Sequence, residues 1–279
     1  MIKLSNGKEL IFLMASGMMG FDGRGPTRAH RIMYDLLKIA GLYDPALFTI
    51  ITKTISPQPI KGPKKIKPLK NGWWNNYGLD NPGISAFLLR SVQEIRGSEN
   101  IIISITAQNL AELQIIADKL NIVTPNLTAV ELNVSCPNIK KYLDTNLIID
   151  MCYYWKKISR LPLILKIGQK NNYIKIAIKT EKIIQAIDIN SIPTVDQHGA
   201  GAISGERAQF INWRILRRLI DCVSIPVIGS SAWHYEDIEY LFKMGAGAIS
   251  FGSVSMVHPK RLWGPILPTK WAKRYLRGG

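Results

Sequence analysis

Short apolar runs recur along the chain, and most are followed by a segment whose apolar residues return every three or four positions. Eight runs read as strands: Leu10–Ala15, Phe48–Thr52, Ile101–Thr106, Ala129–Val134, Leu163–Ile167, Ala186–Asn190, Pro226–Gly229 and Ala248–Phe251. Between the third and fourth, Leu110, Leu113, Ala117 and Leu120 form one face of a helix over 109–120, with Asn109 and Glu112 at capping-box spacing. Glu236–Met244 repeats the pattern through Ile238, Leu241 and Phe242. Strands that alternate with helices predict parallel βαβ units, and eight of them predict an α/β fold of the (β/α)8 TIM-barrel type rather than an open doubly wound sheet. The opening M-I-K-L-S-N-G-K-E-L reads as a short hairpin. The stretch 56–83 carries Pro57, Pro59, Pro63, Pro68 and Pro82 and ends in a turn cluster from Asn75, so it predicts an ordered excursion after the second strand. No repeat or low-complexity tract divides the chain, and one domain over 1–279 is expected.

Composition narrows the class more than the chemistry. A hydrophobic content of 47% supports a sizeable core, yet no uninterrupted apolar stretch is long enough to span a bilayer, and the opening residues lack the apolar run of a secretory signal. A protein without membrane attachment is expected. Cys136, Cys152 and Cys222 are odd in number and have no C-x-x-C spacing, which argues against a disulfide framework and a metal site and fits a reducing cytoplasm. The 36 basic and 20 acidic residues leave a net charge of +16. The lysines are spread, with denser runs at 61–70 and 270–277, and read as solvated charge in an Ile-, Lys- and Asn-rich chain.

In a (β/α)8 barrel, function sits at the C-terminal ends of the strands. Those ends hold Ser16-Gly17, Lys53, Gln108, Asn133 with Cys136, Lys166, Asn190-Ser191, Gly229-Ser230 and Gly252-Ser253. In N-V-S-C-P-N, a strand delivers Cys136 to a turn between Asn133 and Asn138, placing a proton acceptor beside carboxamides that can read a polar, uncharged ring. Gly229-Ser230-Ser231 and Gly252-Ser253 offer small residues where barrels often bind phosphate. Lys166, behind Leu163-Ile164-Leu165, is aimed into the barrel mouth and needs an anion such as a reduced flavin, while Lys53 can face a second anion such as a carboxylate. Taken one at a time, each has a plainer reading: a buried cysteine, turn asparagines, rim lysines and turn glycines.

Together they resemble a family. Ala15-Ser16-Gly17, I-T-K-T-I around Lys53, N-N-Y-G-L-D-N-P-G from Asn75, E-L-N-V-S-C-P-N from Glu131, L-K-I around Lys166, I-N-S around Asn190, G-A-I-S-G from Gly201 and the two glycine–serine segments occur in the order found in dihydroorotate dehydrogenases. The resemblance runs from about Leu10 to about Ser253 and is most specific in E-L-N-V-S-C-P-N. It implies an FMN-binding barrel that oxidises dihydroorotate to orotate in pyrimidine synthesis, with Cys136 removing the C5 proton as the C6 hydride passes to the flavin. A cysteine here is similar to the soluble members. The resemblance assigns Lys53, Asn75, Asn133, Asn138, Asn190 and Ser191 to the substrate, assisted by the backbone of Tyr77, Gly78 and Leu79. To FMN it assigns Ala15, Ser16, Gly17, Lys53, Asn133 and Lys166. Gly205, Gly229, Ser230, Ser231, Gly252 and Ser253 complete that cofactor set.

The electron acceptor stays open among fumarate, a quinone, and NAD reached through a partner subunit carrying FAD and an iron–sulfur cluster. Asn81-Pro82-Gly83 and S-C-P-N-I-K look closer to the partner-dependent type. Three scattered cysteines do not make a four-thiolate cluster in this chain, and a homodimer is usual among soluble relatives. The chain departs from the family pattern at Ser231-Ala232, where a glycine pair is usual, in a short loop after Asn138, and at Asp196-Gln197-His198, where His198 reads as a solvated loop residue. Two alternatives are a dihydrouridine synthase acting on transfer RNA and a barrel without catalysis that binds nucleic acid or assembles with a partner. The set of carboxamides around one small ring argues against nucleic acid as the ligand.

Overall fold

The computed structural model describes residues 1–96, 100–122, 127–136, 143–196, 199–256 and 264–278. The chain opens with an antiparallel hairpin, β1 (Ile2–Lys3) and β2 (Glu9–Leu10), then the first barrel strand β3 (Phe12–Met14), helix α1 (Arg28–Ile39) and β4 (Thr49–Ile51). The proline-rich excursion contributes β5 (Lys65–Leu69) and β6 (Gly72–Asn76). Alternation then resumes with α2 (Gly83–Arg96), β7 (Ile101–Ile105), α3 (Leu110–Asn121), β8 (Ala129–Asn133), α4 (Thr145–Ile158), β9 (Leu163–Ile167), α5 (Tyr173–Thr180) and β10 (Ala186–Ile189). A second excursion, β11 (Ile192–Asp196) and β12 (Gly199–Gly205), precedes α6 (Gln209–Cys222), β13 (Val227–Gly229), α7 (Glu236–Met244), β14 (Ala248–Phe251) and α8 (Ile266–Leu276).

Among the described residues, β3, β4, β7, β8, β9, β10, β13 and β14 close into one barrel, parallel throughout. All eight expected strands are present within a residue or two of their predicted limits. Helix α3 starts as its sequence requires: Asn109 accepts from the Glu112 N–H at 2.9 Å, and Glu112 accepts from the Gln108 N–H at 2.8 Å. Leu113, Ile116, Ala117 and Leu120 form its buried face.

The barrel interior is layered because side chains on a strand alternate with period two. Leu13, Ile51, Ile102, Ala129, Ile164, Ala186, Ile228 and Ala248 form an apolar layer that Ile2, Leu4 and Leu10 of the hairpin close from below. Two residues further along the same strands stand Ala15, Lys53, Ser104, Glu131, Lys166, Asp188, Ser230 and Ser250. The change from apolar to polar therefore happens in one step of register, and the polar layer opens on the strands' C-terminal ends.

The two excursions meet above that end. They form a four-stranded antiparallel sheet in the order β11-β12-β6-β5, with Asn75 opposite Ala202 and Trp73 opposite Ser204. The expected ordered excursion is thus half of a second sheet, a pairing the sequence reading did not anticipate. Trp73 and Trp74 are buried in it.

Candidate active site

A cavity of about 600 Å3 lies between the polar layer and the second sheet. Strand ends supply Ala15, Ser16, Lys53, Asn133, Cys136 and Asn190, and the covering sheet supplies Ile66, Trp73, Asn75, Ser204 and Gly205. Cys136 is buried, three residues beyond Asn133, which ends β8. Its turn is held from behind. Asn190 Nδ2 donates to the Ser135 carbonyl and hydroxyl, both at 3.2 Å, and the Ser135 hydroxyl donates to the Lys166 carbonyl at 3.2 Å. Asn133 Nδ2 donates to Thr54 Oγ1 at 3.1 Å. Carboxamides at the ends of β8 and β10, the two strands that flank β9, thus brace the turn that carries the thiol and line the cavity beside it.

Lys166 forms the floor. Its Nζ lies 2.8 Å from Asp188 Oδ2 and 3.4 Å from Glu131 Oε2, with all three side chains buried. Burial would drive the ammonium toward the neutral form, but Asp188 and Glu131 overcome it and hold Lys166 above the ordinary lysine range. Burial pushes Glu131 up to about 7, opposed by Lys166 and reinforced by Asp188. A hydrogen-bond chain continues from Glu131 Oε1 through Ser104 Oγ at 2.6 Å to Thr54 Oγ1 at 2.9 Å.

Lys53 stands at the mouth, 3.9 Å from Asp80 and 4.0 Å over the Tyr77 ring. Burial lowers its pKa to about 8 against the pull of Asp80, with the nearby Lys64 adding to the fall. At the other side of the cavity Asn212 Nδ2 donates to Ser231 Oγ at 2.9 Å and Ser230 Oγ at 3.4 Å. Because both hydroxyls accept from this amide, their own protons are left to donate to an acceptor in the cavity. Ser231 takes φ of +67°, the left-handed conformation that glycine adopts more readily, and its carbonyl accepts from Gln209 Nε2 at 3.1 Å.

The family model described as dihydroorotate dehydrogenase matches residues 32–258, most of the chain. The chain belongs to the dihydroorotate dehydrogenase family. It is therefore an oxidoreductase barrel. Among curated proteins it is 26% identical over 266 residues to the catalytic subunit of dihydroorotate dehydrogenase B (NAD(+)) from Bacillus mycoides, covering 88% of this chain and 82% of that protein. The subunit of the same name from Sulfolobus acidocaldarius is 29% identical over 229 residues, 76% of each chain. Among solved structures, DHODH from Eimeria tenella in complex with ferulenol superposes with a TM-score of 0.67 at 14% identity, over 95% of this chain and 80% of that one, a likeness of fold.

Of the dihydroorotate dehydrogenase residues expected from sequence, Gly17, Tyr77, Leu79 and Ser191 also line the cavity. So do Ser230, Ser231, Gly252 and Ser253 at the hydroxyl-rich side. Gly78 and Gly229 do not. A Cβ at Gly229 would lie 3.1 Å from Ala246 and 3.3 Å from Leu241, so the missing side chain leaves room for the packing of α7 and the turn that follows it. Gly78, at φ of +66°, packs against Pro63. Asn138, the loop after it, and Gln197-His198 lie outside the described residues. The expectation that Lys166 finds its anion in a ligand is revised: the protein supplies two. Glu131, Asp188 and Asn212 were missed. Their signal was a polar residue on an otherwise apolar face, in A-V-E-L-N, A-I-D-I-N and the Asn212, Ile215, Leu216, Leu219 stripe of α6. Among the described residues, no helix is long and apolar enough to cross a membrane.

Proposed function

We propose that this protein oxidises (S)-dihydroorotate to orotate in pyrimidine synthesis, with FMN in the barrel mouth and Cys136 as the base. The observation that carries this reading is the convergence of Cys136, Asn133, Asn190 and Lys53 on one cavity that also has a lysine floor and a side rich in serine hydroxyls. The donor set fits FMN. Ser230 and Ser231, with hydroxyl protons turned outward by Asn212, suit a phosphate, and the Lys166 ammonium lines the cavity as a hydrogen-bond donor for the ring system. FMN bound there would accept the hydride from C6 of the substrate.

The chain's own residues do the rest. Asn133 and Asn190 match the amide and imide groups of the pyrimidine, and Asn75 reaches the same cavity from the covering sheet. Lys53 holds the carboxylate in a charge-assisted contact, where its partial desolvation strengthens the attraction. Cys136 takes the C5 proton on Sγ, and the electron pair left at C5 forms the C5=C6 bond as the C6 hydride departs. The relatives' names, which give NAD(+) and a catalytic subunit, support a second subunit as the route from flavin to NAD, and the family resemblance implies that it carries FAD and an iron–sulfur cluster.

Anaerobic titration of the FMN-reconstituted protein with dihydroorotate tests this reading. Flavin bleaching is expected, slowed by about 10² to 10⁴ in Cys136→Ala with FMN affinity unchanged. Bound FMN that dihydroorotate does not bleach would overturn the substrate, and failure to bind FMN would overturn the reading as a whole.

A further inference from the structure

Lys166 is the cation of the cavity floor, yet two carboxylates already hold it. Asp188 is the nearer at 2.8 Å and Glu131 the second at 3.4 Å, and none of the three side chains exceeds 7% exposure. Neither carboxylate is free to turn away. Asp188 Oδ1 accepts from the Ile189 N–H at 2.9 Å, and Glu131 Oε1 accepts from Ser104 at 2.6 Å. The strand register enforces the grouping, because Asp188 is paired with Lys166 across β10 and β9 while Glu131 stands one turn of the pleat below Asn133, the partner of Lys166 on β8. Lys166 and Asp188 both face the cavity; Glu131 lies behind them.

One positive and two negative groups at this depth give a ligand no net positive field. We propose that Asp188 is a positioning residue that pins Lys166 and, with Glu131, cancels its charge, so that the site favours oxidised over anionic reduced flavin more than a free lysine would. The inference rests on the FMN reading above and deepens it. A lone ammonium beside the flavin would stabilise added electrons. Here the neighbouring carboxylate opposes them, because interactions among buried charges are weakly screened. The consequence is a bound flavin that is a stronger reductant and gives up its electrons readily to the next carrier.

The test is the midpoint potential of bound FMN at pH 8, together with the affinities for oxidised and reduced FMN, in the whole protein and in Asp188→Asn. The variant keeps the size and the hydrogen-bonding oxygen but removes the charge. Its preference for reduced over oxidised FMN is expected to rise at least tenfold, a positive shift of about 30 mV for a two-electron couple. Glu131→Gln, which removes a charge behind the cavity wall, is expected to shift the potential in the same direction and serves if Asp188→Asn does not fold. A merely structural role would weaken both forms of FMN equally and leave the potential in place. FMN bound by both proteins at the same potential, or a negative shift, would overturn this inference while leaving the proposed function standing. A parent protein that binds no FMN would overturn both.

Discussion

Lys53 leaves the end of β4 with its ammonium over Tyr77 and its pKa pushed down to about 8, mainly by burial. The sign of the consequence is definite. An anion that needs the protonated lysine binds with level affinity below about pH 8 and loses affinity as the pH rises through that value. Lys53→Met is expected to weaken dihydroorotate binding about tenfold to a hundredfold, as for a charge-assisted hydrogen bond of about 1.5–3 kcal/mol, and to remove this alkaline limb. Substrate titrations from pH 6 to 9.5 would show it, and a limb that survives in the variant would assign it elsewhere. Lys53, Cys136 and Asn133 were legible because each stands at the end of an apolar run, where barrel chemistry gathers. Glu131 and Asp188 were not, because they lie inside their strands, where attention goes to the apolar neighbours. Counting back by two from Asn133 and Asn190 finds both charges on the inward face.

At the scale of elements, the barrel strands were readable and the second sheet was not. β12 contains Gly199, Gly201 and Gly205, and β5 reads K-I-K-P-L, so neither has the composition of a strand. Their pairing is supplied by distant partners. Pro68 and the outward lysines also suit β5 to its place at the edge, where they block further strand addition. Gly205 is a tight point of this construction: φ is +90°, and a Cβ would come within 2.6 Å of Gly72 Cα. Gly205→Ala is expected to cost about 1–3 kcal/mol from backbone strain alone and more from the clash, visible as a lowered Tm. It should also weaken FMN affinity, because the sheet that roofs the cavity is displaced. An unchanged Tm would show that β12 and β6 separate easily.

For the molecule as a whole, the buried ion group ties stability to pH. Glu131 has its pKa raised from 4.5 to about 7 in the folded protein, chiefly by burial, so the folded state binds the extra proton. This contribution is full below about pH 4.5 and is lost as the pH rises through about 7. Glu131→Gln is expected to flatten that part of the profile, measured by denaturant unfolding between pH 5 and 8, and an identical slope in the variant would place the linkage in another group. The same polar layer rests on the apolar one sealed by Ile2, Leu4 and Leu10. That seal has a consequence for how the chain is made. The hairpin is synthesised before any barrel strand, but the cavity it plugs does not exist until β14 pairs with β3 and joins the two ends of the barrel. The nascent hairpin must therefore wait with its apolar side chains unsatisfied until β14 has been made, a long-range closure of the kind that folds slowly. The pairing of Ile249 with Phe12 completes the ring and gives the hairpin its place.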